Sequence, residues 1–231
     1  MSEEAKEKEK EKGKSAKNKS ARELRAGLYG EVISHMRVKH PELIDAAYEF
    51  FWEEEFPEDF LSGLPLELGF VNFEDWFICD YKDPKAGFVT DLYLEETGQK
   101  ENGEKAAAML ALKNSFIGLY EVKNMISPSG DEAELEDVLL GGTHSMSVPA
   151  QGMKTGDLFA TRIINLSGGE VMGACLYPFG AAMKPLVLES VSSQFKRFRK
   201  NKRPDGGLPD FLKLEGYLFN VIWLSGLYRK A

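Results

Sequence analysis

The sequence predicts an α+β protein: a helical N-terminal region, a central small antiparallel β-barrel-like sheet of about five strands, and a helical C-terminal region. Three observations carry that expectation. Between Ser115 and Pro178 the apolar residues come in short runs rich in β-formers, separated by glycine-bearing turns. On either side of that stretch they recur at helical spacing instead. With 43% hydrophobic and 11% aromatic residues over 231 positions, the chain also has enough apolar surface to bury a core. The expected divisions are a charged tail at 1–20, a helical region at 21–114, the barrel-like sheet at 115–180 and C-terminal helices at 181–231.

Residues 1–20 have almost no apolar side chains, so burial cannot offset the entropy of ordering them, and a disordered tail is expected. From Ala21 the pattern changes. Leu24, Leu28, Val32 and Met36 predict a helix to about Val38, broken at His40-Pro41. Pro41 suits the first turn of a second helix, whose face carries Ile44, Ala47, Tyr48, Phe51 and Trp52. Pro57 to Gly69 reads as a connecting loop. Phe73, Trp76, Phe77, Asp80 and Tyr81 share one helical face, whose rings are core and whose Asp80 is either a cap on a neighbouring element, the favoured reading, or a functional carboxylate. Short helices are expected at Phe88 to Glu96 and Lys105 to Lys113.

Within the sheet, a strand through Ile117 to Ile126 stops at the turn cluster Ser127 to Asp131. Gly141-Gly142 predicts a two-residue hairpin between Leu135–Leu139 and Thr143–Val148. Leu158 to Leu166 and Val171 to Tyr177 form a second hairpin across Ser167-Gly168-Gly169. A curled SH3-like or OB-like barrel hides the edges of so short a sheet; an open sheet covered by the flanking helices would bury the same side chains. Beyond it, Pro185 to Lys200 reads as a helix, and Pro209 opens a final apolar one.

Cys79 and Cys175 lie far apart in apolar surroundings, which predicts buried thiols and a reducing, cytoplasmic compartment. The most apolar stretch, Phe211 to Tyr228, is interrupted by Lys213, Glu215 and Asn220, so no membrane span is expected. The formal net charge of -8 is segregated: residues 42–104 hold eighteen acids against three lysines, while residues 189–231 hold nine basic against four acidic residues. Either the two ends meet in the fold or each faces a different partner.

The segments FEDWFICDY, GLYEV, LEDVLLGG and GDLFATRII together resemble a family of uncharacterised bacterial proteins. That family shows a W-F-x-x-D helix, a G-L-[FY]-E-V strand, a D-[LV]-L-x-G turn and a G-D-x-x-x-x-R strand. Here those positions fall on Trp76, Phe77 and Asp80, on Gly118 to Val122, on Asp137 to Gly141, and on Gly156, Asp157 and Arg162. The resemblance covers about Phe73 to Pro178 and implies no established reaction. Some relatives carry a C-terminal zinc motif of the SEC-C type, but this chain has no C-x-C or C-x-x-C, so the resemblance implies no zinc.

Phosphate-loop, dinucleotide, zinc-protease and esterase signatures are all absent, so no cofactor is expected. His35, His40 and His144 form no ligand spacing, and no metal site is expected. The weak catalytic candidates are His144, Asp157 and Arg162, with His144 as a general base should a carboxylate lie beside it. The run Lys196, Arg197, Arg199, Lys200, Lys202 and Arg203, with Phe195 and Phe198 interleaved, is the one feature that suits nucleic acid or another polyanion. The leading expectation is therefore a non-enzymatic module binding RNA or DNA backbone through that run. A protein-interaction or scaffold module using the acidic helices is the second reading, and an enzyme with a pocket near His144 the third.

Overall fold

The computed structural model describes residues 3–53, 55–98, 103–149 and 153–228, with side chains from Ala21 onward and Tyr228 by its backbone alone. The backbone of 3–20, where a disordered tail is expected, is helical and forms the first part of α1, while the side chains there lie outside those described.

Helix α1 (Glu3–Lys39) ends where His40 leaves helical geometry at φ −140°, and Pro41 opens α2 (Pro41–Phe51) as expected. A 3-10 turn, Pro57–Asp59, leads to α3 (Leu64–Cys79). The loop expected through Gly69 is shorter than predicted, because Gly69 is a packing residue inside the helix. A Cβ there would come within 2.7 Å of the Trp52 ring. A two-stranded ribbon, β1 (Lys82–Asp83) and β2 (Gly87–Phe88), precedes α4 (Val89–Glu96) and α5 (Glu104–Asn114).

The strands that follow are β3 (Ile117–Met125), β4 (Glu132–Asp137), β5 (Thr143–Ser147), β6 (Leu158–Leu166), β7 (Gly169–Met172) and β8 (Tyr177–Phe179). All pair antiparallel in the order β5-β4-β3-β6-β7, with β8 also on β6. The sheet curls into a half-barrel, bringing its outer strands β5 and β7 together so that His144 Nδ1 and Glu170 Oε2 lie 3.0 Å apart. Lys184–Asn201, Leu208–Glu215 and Leu218–Tyr228 form α6, α7 and α8.

Three differences from the sequence reading have local causes. The Gly141-Gly142 hairpin is not a two-residue turn: pairing stops at Glu136 and Thr143. Asp137 Oδ1 caps the loop by accepting from Leu139 N and Leu140 N at 2.9 and 2.8 Å, and both glycines take positive φ. The strand expected through Val171 to Tyr177 is two strands, since α3 claims the backbone between them. Ala174 N donates to Asp75 Oδ1 at 3.0 Å, and Asn72 brackets Leu176 through both its backbone groups at 2.7 and 3.1 Å. The single helix expected after Pro209 breaks at Gly216, where a Cβ would meet the Leu212 carbonyl at 2.8 Å.

Both architectures weighed for the sheet are partly realised. The concave face holds Tyr120, Val122, Leu135, Met146, Phe159 and Met172, a small interior of its own. The other face of β3 and β6 is covered by helices: Ile117, Leu119, Leu158 and Ala160 pack with α6, α7 and α8. Ile164, Leu166 and Val171 join the core built by α1 to α5. Alternation along β6 sends Phe159 to the concave interior and Leu158, Ala160, Ile164 and Leu166 to the helix-covered face, where the first two and the last two join different cores, so one strand feeds three. Among the described residues no helix is long and apolar enough to cross a membrane.

Candidate functional site

The strongest electrostatic feature lies in the interior, between α3, β6 and α7. Arg162 on β6 is fully buried; its Nε donates to Asp75 Oδ2 at 2.9 Å, Nη2 to Asp80 Oδ2 at 2.5 Å, and Nη1 to the Ser115 carbonyl at 2.9 Å. Lys213 from α7 donates to Asp80 Oδ1 at 2.7 Å and to the Cys79 and Ser115 carbonyls at 2.8 and 3.0 Å. Tyr29 of α1 closes the far side, its hydroxyl donating to Asp75 Oδ1 at 2.5 Å. Two carboxylates and two cations cancel, which is the condition under which charge survives burial.

Burial opposes the Arg162 charge, but Asp75 and Asp80 outweigh it and hold the guanidinium more firmly protonated than in water. Burial likewise pushes the Asp75 carboxyl up; the Arg162 charge and the bonds from Tyr29 and Arg162 overcome it and leave the group below its ordinary value. Cys79, beside this cluster, is a buried free thiol pushed up to about 12 by burial, and Cys175 is buried and free as well. Neither has the thiolate character of a nucleophile.

The catalytic candidates each have separate partners. His144 faces Glu170 across the closing strands and lies edge-on to Tyr120, the ring centroids 5.8 Å apart. Asp157 accepts from Lys154 N at 2.8 Å, shaping a turn in which Gly156 takes φ +89°. Arg162 belongs to the buried cluster.

The basic run occupies the second half of α6 and the turn after it. Lys196, Arg197, Arg199, Lys200, Lys202 and Arg203 are all exposed, on the side of the helix away from the buried Val191 and Phe198. Lys202 pairs with Glu215 at 2.6 Å, Arg203 with Asp210 at 3.1 Å, and Arg199 donates to the Pro204 carbonyl at 3.1 and 3.0 Å. Among the described residues Lys196, Arg197 and Lys200 have no hydrogen-bond or ion-pair partner, and no ion pair joins the run to an acid in 42–104. The two charged ends of the chain do meet elsewhere, through Lys213 and Asp80.

Phe195 and Phe198 turn inward against Phe211, with ring centroids 5.6 Å apart in both pairs. The accessible rings beside the cations come from remote sequence. A cavity of about 960 Å³ is lined by the cations Lys82, Arg197, Lys202 and Arg203 together with Phe50, Trp76, Tyr81, Phe88 and Tyr217. Phe50 is 58% exposed and lies parallel to Trp76, at 7° and 5.7 Å between centroids. Lys82, Lys113 and Lys213 sit 5.6, 5.2 and 6.0 Å from the Phe88 ring centre. Asp80 and Glu215 are the acids of this lining. The grouping was not readable from the chain, since Phe50, Phe88 and Arg197 share no local pattern.

A second grouping also escapes sequence reading. His35 and His40, which form no ligand spacing, converge on Glu96 at the end of α4.

Residues 70–211 match the model of a family described as a family of unknown function, DUF7986. No curated protein and no solved structure matches the chain.

Proposed function

The chain belongs to the family of unknown function DUF7986, a premise that brings no reaction or ligand with it, and we propose that it binds single-stranded nucleic acid along the groove between α6 and the aromatic wall made by Phe50 of α2, Trp76 of α3, Tyr81, Phe88 of β2 and Tyr217. The cations of the α6 run take the phosphates, and Phe50 with the half-buried Tyr81, Phe88 and Tyr217 offers ring faces to the bases. A single strand is the fitting form, since bases paired in a duplex present no free face to a ring.

The observation that carries this reading is the convergence of Arg197, Lys202 and Arg203 with those rings on one concavity. Two features support it further. Lys196, Arg197 and Lys200 have charges the fold does not use. The pairs Lys202–Glu215 and Arg203–Asp210 are exposed, so each contributes only about 0–1 kcal/mol and is readily exchanged for a phosphate.

The test is fluorescence anisotropy of labelled oligo-dT and oligo-U across a salt series, against a duplex of equal length. We expect preference for the single strands and an affinity that falls steeply with salt, by about 0.7 logarithmic units per phosphate contact for each tenfold rise. The triple variant Arg197→Glu/Lys200→Glu/Lys202→Glu should lose that binding while remaining folded. Unchanged affinity in this variant would refute the proposal and turn attention to the acidic helices as a protein-binding face.

A further inference from the structure

We propose that His35, His40 and Glu96 form a binding site for a divalent metal ion of the zinc class, clipping the α1–α2 junction to the end of α4. The Glu96 carboxylate lies between two imidazoles: Oε2 is 2.6 Å from His35 Nε2, and Oε1 is 2.8 Å from His40 Nε2. One ligand atom from each of the three residues lies within 4.8 Å of the others. Around an ion with bonds of about 2.0–2.2 Å, tetrahedral ligand atoms stand about 3.4 Å apart, so each Glu96–imidazole pair opens by less than about 1 Å to admit one, while the two imidazoles need to close by no more than about 1.4 Å. Two imidazoles and a carboxylate are the donor set that zinc and its neighbours in the first transition row accept.

The surroundings hold those ligands in place. His40 sits at the break before Pro41, outside helical geometry, so its ring leaves the line of α1 and turns toward α4. Its other ring nitrogen, Nδ1, faces Glu42 Oε1 at 3.5 Å, which leaves Nε2 as the nitrogen turned toward Glu96 and places a carboxylate where a metal-bound imidazole takes its outer partner. The His35 ring is set by an edge-on contact with Tyr93, at 5.3 Å and 88°, and Tyr93 in turn donates to Glu31 at 3.1 Å. The side chains of His35, His40 and Glu96 keep 19%, 22% and 31% of their exposure, so a fourth position opens to water. Without an ion the same residues make a hydrogen-bonded His–Glu–His bridge, and the experiment separates the two states.

The full chain, stripped with chelator and exchanged into metal-free buffer, is given Zn²⁺ alone, then passed over a sizing column and its metal content measured; Co²⁺ is added to a second sample as a spectroscopic probe. The expected result is one ion per chain, a raised melting temperature, and a visible Co²⁺ spectrum of low-symmetry N/O ligation. Glu96→Gln and the double variant His35→Gln/His40→Gln should lose all three, while His144→Gln, at the third histidine, keeps them. Glu96→Gln alters only a partly exposed side chain, so a folded protein remains for the comparison. Sub-stoichiometric zinc in the native chain, or equal retention by the variants, would overturn the site. Because these residues do not line the α6 groove, the result is independent of the nucleic-acid reading.

Discussion

Arg162 and Arg197 are 35 positions apart, and the fold treats them in opposite ways. Arg162 is wholly buried, bound to two carboxylates and a carbonyl within a cluster of zero net charge. Arg197, with Lys196 and Lys200, stands in water with no partner among the described residues. The contrast shows how to divide a charged protein. Charge compensated in the interior specifies how elements dock, because breaking it leaves an ion stranded in a poor solvent. Charge left unpaired beside a concave aromatic surface adds nothing to docking and is available to a ligand.

If that division holds, mutations on its two sides have separable effects. The largest is expected for Arg162→Met, which strands Asp75 beside a half-compensated Asp80; denaturant unfolding should show a loss of about 3–5 kcal/mol. A milder form of the same loss comes from acid. The Asp75 carboxyl is depressed in the folded protein, so its contribution is fully present above the unfolded value of about 3.9 and disappears as pH falls below that value and through the lower folded one. The urea midpoint should therefore drop on the acid side of about pH 4, and less so in Asp75→Asn, which no longer titrates. Gly173→Ala comes next: its Cβ would lie 2.8 Å from Arg162 Cβ and 3.0 Å from Asp75 Oδ1, which should cost about 1–3 kcal/mol in the same unfolding assay.

Across the divide, Phe50→Ala should weaken oligonucleotide binding by about 1–3 kcal/mol, measured by anisotropy, while shifting the melting temperature far less than Gly173→Ala does. The smallest effect is expected for Lys200→Ala, within about 0.5 kcal/mol in folding and visible mainly as a shallower salt slope in binding. A Lys200 substitution that destabilised the fold as Arg162→Met does would erase the distinction between the two sets of charges.

The motif-bearing residues explain why sequence reading succeeded in part. The sequence from Asp137 to Gly141 predicts a turn and forms one, since a carboxylate capping amides two and three residues on is a local event. The periodicity around Asp80 predicts a ring-bearing helix with a capping or functional carboxylate; the rings are core, but the partners of Asp80 are Arg162 and Lys213, 82 and 133 positions away, which no local pattern discloses. Arg162 itself stands among the catalytic candidates with His144 and Asp157 in the sequence, because an isolated arginine in a strand gives no sign of whether it is exposed. The inward turn of Phe195 and Phe198 was legible as helical periodicity, while the rings that replace them in the groove come from three distant segments.

By itself the sequence determined the parts: where apolar residues follow the helical or the two-residue period, where glycine and proline interrupt them, and where charge accumulates. Those properties depend on neighbours within a few residues, and they sufficed for the helical flanks, the curled sheet and the position of the cationic run. Only the tertiary structure decided which charges cancel, which rings stand beside the free lysines and arginines, and that His35, His40 and Glu96 meet. The reason is physical: these outcomes are set by distances in space between side chains dozens of residues apart, and such distances exist only once the cores have closed.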